Sequence, residues 1–432
     1  MVSTNTPPIN TISYAESLDN SDNLSGFRER FYLPLHNGEP CVYFCGNSLG
    51  LQPKSLSTYV DKDLNQWKDL GVEGHFKSET PWLTAHKPLA PSIAKIVGAL
   101  ESEVVAMNTL TVNLHLMMVS FYRPKGKRFK ILMEPGAFPS DQYAVESQVK
   151  FHGLDPKEAI ITFEPKEGEE ILDLEEMINT IQQHKDELAL ILMGGVNYYT
   201  GQYFPLKEIT EAGHRAGALV GFDLAHAVGN VPLQLHNWNV DFAVWCTYKY
   251  LNSSPGGISG IFVHEKHGNN KDIPRFAGWW GHNEEERFLM KEGFIPMHGA
   301  EGWQLSNVPV LIMAAHKASL DIFDEAGMHR LIAKSRKLTG YLESLVELLN
   351  KEQDKIDISS ITPKDIEARG CQLSLVLSIH GKLAFKYLSE NGVVADWREP
   401  NVIRVAPVPL YNNFTDVFKF YRILKDAIEN IS

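Results

Sequence analysis

The sequence predicts an α/β protein with a large domain built on a mostly parallel sheet, followed by a smaller α+β domain. Three observations carry this. Strand-like and helix-like segments alternate from about residue 100 to residue 260. The strand segments are continuous apolar runs, as in Leu188-Ala-Leu-Ile-Leu-Met193, which is the pattern of strands covered on both faces. After Val310 the pattern changes to a long helical region and then to mixed short strands and helices. A chain of 432 residues, 44% hydrophobic and 22% charged, is also too long for one compact core, so two domains are expected.

Taken in order, residues 1 to 38 are polar and read as an irregular arm. Val42 to Cys45 is a short strand, and Gly46-Asn-Ser-Leu-Gly50 turns out of it. Gln52 to Gly71 has helical spacing, with Leu56, Val60, Leu64 and Trp67 recurring on one face. Pro91 to Leu100 is a helix and Val104 to Met107 a strand. Asn108 to Ser120 opens with amide and hydroxyl residues and continues as an apolar helix. Such a start suits an anion, because free N–H groups and the positive dipole end face it, with Thr109 and Thr111 adding hydroxyls; the plain alternative is a cap by Asn108 or Thr109. Phe129 to Met133 is a strand, and Phe138-Pro-Ser-Asp141 opens a helix that Ser140 or Asp141 could cap. Further strands are read at 159–163, 188–193, 218–223, 241–247 and 257–263, with helices at 172–188 and 206–216. Beyond Val310, a helical region to about Asn350 precedes a strand at 371–378, a helix at 382–391, a strand at Val402–Val405 and a helix at Phe414–Ile431.

Composition excludes several classes. A net charge of -12 favours neither nucleic acid nor an anionic membrane surface. The four cysteines make no disulfide framework and read as buried free thiols. Met1 to Asn10 has no basic residue and no apolar run, so no secretory signal is expected, and no apolar run is long enough to span a bilayer. A cytoplasmic protein follows as the expectation. His264-Glu-Lys-His267 has metal-ligand residue types, but it lacks the HExxH spacing and follows a strand, so no metal site is expected.

The chemistry centres on Ala243 to Gly257. A buried strand ends there, and Lys249 stands between two tyrosines before a loop rich in Ser, Pro and Gly. A lysine desolvated at such a place becomes a usable amine nucleophile. Upstream, the strand at 218–223 ends in Asp223, where open α/β sheets bind ligands, with His226 following. An anion-binding helix start, an acid at a strand end and a lysine on the next strand are, in that order, the parts that pyridoxal phosphate requires.

Longer motifs make the pattern specific. Phe44 to Pro53, Leu110 to Leu116, Phe138 to Asp141, Gly221 to Asn230, Tyr248 to Asn252 and Ile403 to Asn412 resemble the kynureninase family over residues from about 40 to the C-terminus. The resemblance implies a fold-type I pyridoxal 5'-phosphate (PLP) enzyme with a seven-stranded large-domain sheet, acting as a homodimer with active sites at the subunit interface. It implies hydrolysis of L-kynurenine or 3-hydroxy-L-kynurenine to anthranilate or 3-hydroxyanthranilate plus L-alanine, in tryptophan degradation or NAD synthesis. Lys249 would carry the cofactor as a Schiff base, with Tyr248 as proton carrier. Asp223 would pair with the pyridinium nitrogen, with Asp141 nearby, Phe138 stacked on the ring and His226 close to it. Leu110, Thr111, Pro139, Ser140, Tyr248 and Trp279 would complete cofactor binding, and Asn307 would lie at the cofactor and at the substrate's aryl end. Ser48 and Arg404 would take the substrate, Arg404 by its α-carboxylate; His75, Ser306 and Asn307 resemble the aryl pocket of members preferring the 3-hydroxy substrate. Two departures stand out: Gly194, where some members carry a hydroxyl, suggesting a missing phosphate contact, and Trp280, where phenylalanine is familiar, suggesting a narrower pocket. The domain limits expected are an arm at 1–50 packing with the small domain, a cofactor domain at 51–309 and a small domain at 310–432. The competing readings are a cysteine desulfurase or selenocysteine lyase, for which Cys371 would have to be exposed and mobile, and a non-catalytic binding protein on the same fold.

Overall fold

The computed structural model describes residues 7–431 and divides the chain into two compact units. One comprises Ser55–Tyr198 and Tyr203–Ile322; the other comprises the segment up to Lys54, the stretch Tyr199–Gln202 and the segment from Phe323 onward. The second division falls inside a helix, Val310–Ala326, rather than at 309/310.

In the larger unit, helices α1 (Leu56–Leu70) and α2 (Ala90–Val97) precede β1 (Val104–Ala106). The alternation that follows is α3 (Leu110–Phe121), β2 (Lys130–Met133), α4 (Pro139–Phe151), β3 (Ile160–Thr162), α5 (Leu174–Gln183), β4 (Leu188–Gly194), α6 (Leu206–Arg215), β5 (Leu219–Asp223), β6 (Phe242–Cys246) and β7 (Ser259–Val263). The seven strands form one sheet in the order β1-β7-β6-β5-β4-β2-β3. Strands β2 to β6 pair in parallel, whereas β7 runs antiparallel to both β6 and β1. The β6–β7 connection carries no helix, so the chain returns in the opposite sense instead of crossing over. Because β1 and β6 both oppose β7, the carboxyl ends of β1, β2, β4, β5 and β6 gather at one edge of the sheet. That edge is where open α/β sheets hold ligands.

Burial explains the apolar runs. Every residue of β6 and β7 is buried. Leu114, Met117 and Phe121 of α3 pack with Ile131, Leu190, Val244 and Ile261 in one cluster, and Phe121 stacks on Phe242 at 4.8 Å. Gly221 is required by the same packing, since a Cβ there would lie 2.1 Å from the Phe242 ring. By contrast α1 buries no residue at all: its apolar stripe is present, but Leu64 is 40% and Trp67 61% exposed.

The smaller unit holds the antiparallel sheet β8 (Ile358–Ser360), β9 (Leu373–Leu377), β10 (Asp396–Arg398) and β11 (Val402–Val405), in the order β8-β9-β11-β10. The long helical region after residue 310 is two helices, α7 (Val310–Ala326) and α8 (Met328–Glu352), separated by Gly327 at φ 77. Helices α9 (Gly381–Glu390) and α10 (Phe414–Ile431) complete the unit. Leu342, Leu345, Leu375, Ile403, Val417 and Phe420 are in its core. The N-terminal segment is not irregular as its polarity suggested. Ile12–Asn20 is a helix whose Ala15 enters this core, and Val42–Tyr43 pairs in parallel with Val393–Val394. No helix among the described residues is long and apolar enough to cross a membrane.

Candidate active site

A cavity of about 210 Å³ opens at the carboxyl edge of the large sheet. It is lined by Thr109, Leu110 and Thr111 at the start of α3, Glu134 after β2, Phe138, Ser140 and Asp141 at the start of α4, Gly194 at the end of β4, Asp223 at the end of β5, and His226, Tyr248 and Lys249. Val196, Tyr198 and Ala225 complete the wall. Residues far apart in the chain converge because each follows the carboxyl end of a strand running in the same sense.

Three parts can be distinguished. At the α3 terminus, Thr109 occupies the N-cap position but its side chain accepts no helix N–H, so simple capping is not its arrangement. Asn108 instead donates to the Asn113 side chain at 3.0 Å, and the Thr111 and Ser140 hydroxyls bond each other at 2.8 Å. Nor do Ser140 and Asp141 cap α4; Phe138 is its N-cap residue, without a side-chain bond. The amine part is Lys249, half-buried rather than fully desolvated, with Nζ 2.9 Å from His226 Nε2. It lies 5.8 Å from the centre of the Phe138 ring, which is 42% exposed and presents an aromatic surface. The third part is acidic. Asp223 accepts the Ala225 amide at 2.8 Å, and burial raises its carboxyl despite that bond, the Lys249 charge and a hydrogen bond with Asp141. Burial, then the Asp223 and Glu134 charges, push Asp141 further up, so of the hydrogen-bonded pair Asp141 holds the proton and donates it to Asp223. Burial and the adjoining strand also push Tyr248 well above the usual phenol range, which keeps it a protonated donor.

Glu134 is the residue that sequence reasoning missed. An acid straight after a buried strand, it carries the same signal that singles out Asp223. Gly194 likewise has a different part from the one expected: its amide donates to both Glu134 carboxylate oxygens at 3.0 Å, and a Cβ on Gly194 would lie 2.9 Å from Glu134 Oε1.

Other expected residues lie off this cavity wall. Trp279 is 43% exposed and donates to the Arg287 carbonyl; Ser306 and Asn307 are exposed in the loop before α7. His75 sits edge-on to Trp82 at 5.5 Å. Trp280 is buried against the Arg287 guanidinium and does not line this cavity. Pro139 is the first residue of α4. In the smaller unit, buried Arg404 of β11 reaches Asp396 Oδ2 at 2.6 Å, and Ser48 donates to the same oxygen at 2.6 Å. Burial alone would raise Asp396, but Arg404, Ser48 and Arg398 outweigh it and hold the carboxyl below its usual range.

His264 and His267 diverge. His267 bonds Asp241 at 2.8 Å, while His264 lies with His236 beside Glu103. These last three could converge on an ion, but Glu103 already accepts two backbone amides and the His236 ring, and His264 Nδ1 accepts the Lys266 amide. The network serves as a structural tie.

A family model described as the kynureninase C-terminal domain matches residues 331–424. The kynureninase of Flavobacterium psychrophilum is 55% identical over 97% of this chain and 98% of its own. The chain belongs to the kynureninase family. Among solved structures, a cysteine desulfurase of Escherichia coli superposes with a TM-score of 0.74 at 16% identity, covering 95% of this chain and 99% of its own. C-DES, with glycine covalently linked to its PLP cofactor, superposes at 0.74 and 14% identity, covering 89% of this chain and 96% of its own. This kynureninase-family chain therefore has the fold-type I architecture. The desulfurase reading requires an exposed, mobile Cys371, whereas Cys371 is 1% exposed at the approach to β9.

Proposed function

We infer that the chain is a PLP-dependent hydrolase that cleaves L-kynurenine or 3-hydroxy-L-kynurenine, releasing the corresponding anthranilate and L-alanine. The observation that carries this is the meeting of Lys249, the Asp141–Asp223 pair and the side-chain-uncapped start of α3 in one cavity of a kynureninase-family chain. The donor set fits PLP part for part. Thr109, Leu110, Thr111 and Ser140 offer hydroxyls and helix N–H groups for the phosphate, Phe138 a face for the ring, Asp223 a carboxylate for the ring nitrogen, and Lys249 an amine for the aldehyde.

The bound cofactor supplies an electrophilic aldehyde carbon and a cationic ring that accepts electron density from the substrate. The chain's own residues do the rest. Lys249 anchors the cofactor and, once released, takes and returns the proton at the substrate Cα. His226 Nε2 accepts from the ammonium and aims it. Asp223 stays ionised because Asp141 donates to it, so the ring nitrogen keeps its proton. Tyr248, held protonated, donates where negative charge develops. Arg404, whose paired N–H groups suit a carboxylate, is assigned to the substrate α-carboxylate.

His75, Trp279, Ser306 and Asn307 are absent from the cavity wall within one chain, and three of them are exposed. We assign them to the neighbouring active site of a homodimer. The apolar side chains that α1 and the turn after it leave in solvent, Leu64, Trp67, Val72 and Phe76, support a second copy as their cover. With His75, Ser306 and Asn307 at the aryl end, the 3-hydroxy substrate is preferred. The free thiols, of which Cys41, Cys246 and Cys371 are buried and Cys45 is partly exposed, suit a cytoplasmic setting.

The test is turnover of both substrates by PLP-loaded protein, with alanine and the matching anthranilate measured. A preference for 3-hydroxy-L-kynurenine is expected. Preference for kynurenine would discard the aryl-pocket assignment, and no cleavage of either would overturn the function.

A further inference from the structure

Glu134 is a buried carboxylate that the mechanism above leaves without work. It follows β2, is 5% exposed and lines the cavity beside Asp223. One backbone amide, that of Gly194, holds both its oxygens at 3.0 Å. Gly194 is in turn the register partner of Asp223 across β4 and β5, so Glu134 is braced against the strand end that carries Asp223. The missing Cβ at Gly194 is what admits the carboxylate. Its own backbone N–H and that of Gly194 are a thin set of partners for two buried oxygens, and a carboxylate kept there at that cost has an electrostatic consequence.

We propose that Glu134 is a positioning residue for the cofactor site, whose carboxylate, when ionised, raises the proton affinity of the Asp141–Asp223 pair and of a cofactor held there. The proposal rests on the PLP reading given above. The groups facing Glu134 are Asp223 at the end of β5, Asp141 on α4, and, across the cavity, Lys249 and His226; the Gly194 amide on β4 is its direct partner. Burial, with the Asp223 charge added, raises the Glu134 carboxyl to about 7 even though its own backbone amide and that of Gly194 pull the other way. The group therefore changes charge across the neutral range, and a cationic cofactor ring, once held by Asp223, would favour its ionised form. Ionised, it discourages Asp141 from losing the proton donated to Asp223. Protonated, it removes that support.

Glu134→Gln keeps an oxygen for the Gly194 amide and removes the charge. In the PLP-loaded protein, the pH midpoint of the cofactor's visible absorbance, which reports proton binding at its Lys249 linkage, is expected to move toward acid by about one pH unit. The neutral limb of the kcat profile should move with it while KM stays close to its original value. Glu134→Asp, which restores charge, should recover part of the shift. Infrared spectra of the unaltered apoprotein should show a buried carboxylic C=O band that disappears near pH 7 and is missing from Glu134→Gln. An unshifted midpoint in a variant that takes up cofactor overturns the proposal, as does the absence of that band from the unaltered protein, a readout that does not depend on the variant folding. Unaltered protein that takes up no PLP would instead sink the cofactor reading itself, and this proposal with it.

Discussion

Lys249 Nζ and His226 Nε2 lie 2.9 Å apart, within hydrogen-bond distance. With the lysine as ammonium, His226 accepts at Nε2 and its own proton sits on Nδ1. The histidine thus acts as a rest for the amine whenever it is not bonded to cofactor. Lys249→Ala removes the nucleophile and leaves the acid pair, the α3 terminus and the Phe138 face in place. The variant is expected to bind PLP without covalent attachment, seen as loss of borohydride-fixed cofactor, and to lose turnover entirely. Normal turnover would refute the assignment of Lys249. Asp141 and Asp223 show the same economy: two buried acids in contact cannot both ionise, so one becomes the donor that keeps the other charged.

Whole elements are held in register by a second acid, Asp241, which precedes β6. Its Oδ2 accepts the Val220 amide of β5 at 2.7 Å and His214 of α6 at 2.8 Å, while Oδ1 takes His267 and Lys266 from beyond β7, each at 2.8 Å. Burial would raise this carboxyl, yet His214, His267 and Lys266 together hold it far below its ordinary range. A folded-state pKa below the unfolded value of about 3.9 means that the stabilisation is complete above that value. It is lost only as pH falls through the much lower folded value. Asp241→Asn should therefore cost about 3 kcal/mol at neutral pH in urea denaturation, with the gap to the parent narrowing only in strong acid. A gap that closed near neutrality would contradict the ion network. By placing Asp241 between β5, α6 and the segment after β7, the chain fixes the strand ends on which Asp223 and Lys249 depend.

At the scale of the molecule, the proposed dimer makes a prediction that no single chain could satisfy. If Asn307 and Trp279 serve the partner's cavity, Lys249→Ala and Asn307→Ala are each defective alone. Mixed dimers of the two then regain about one intact site in two, because one interface pairs both unaltered residues. Activity of co-expressed variants at roughly a quarter of the parent level, from a statistical mixture, is the expected outcome. Additive residual activity with no recovery would place Asn307 with its own chain's lysine.

How far the sequence reached depended on the range of the interaction. Asp223 and Lys249 are legible because one ends and the other follows a buried apolar strand at its carboxyl end, and Thr111 and Asp141 because each opens a helix after such a strand. The ranges of Val402–Val405 and Phe414–Ile431 were legible for the same local reason, a sharp change in apolar period. Pairing partners were not. The reversed sense of β7, the edge-on helix α1 with its stripe facing water, the helix Ile12–Asn20 and the bracing of Glu134 by Gly194 depend on contacts between segments remote in the chain. Periodicity records which face of a segment is apolar, not what covers it. Thus the sequence by itself determined the fold class, the order of the elements and the residue types of the cavity. Only the tertiary structure decided which acid holds the proton, which amide anchors Glu134 and which expected residues leave the wall, because those outcomes follow from distances and desolvation that exist only once the strands are side by side.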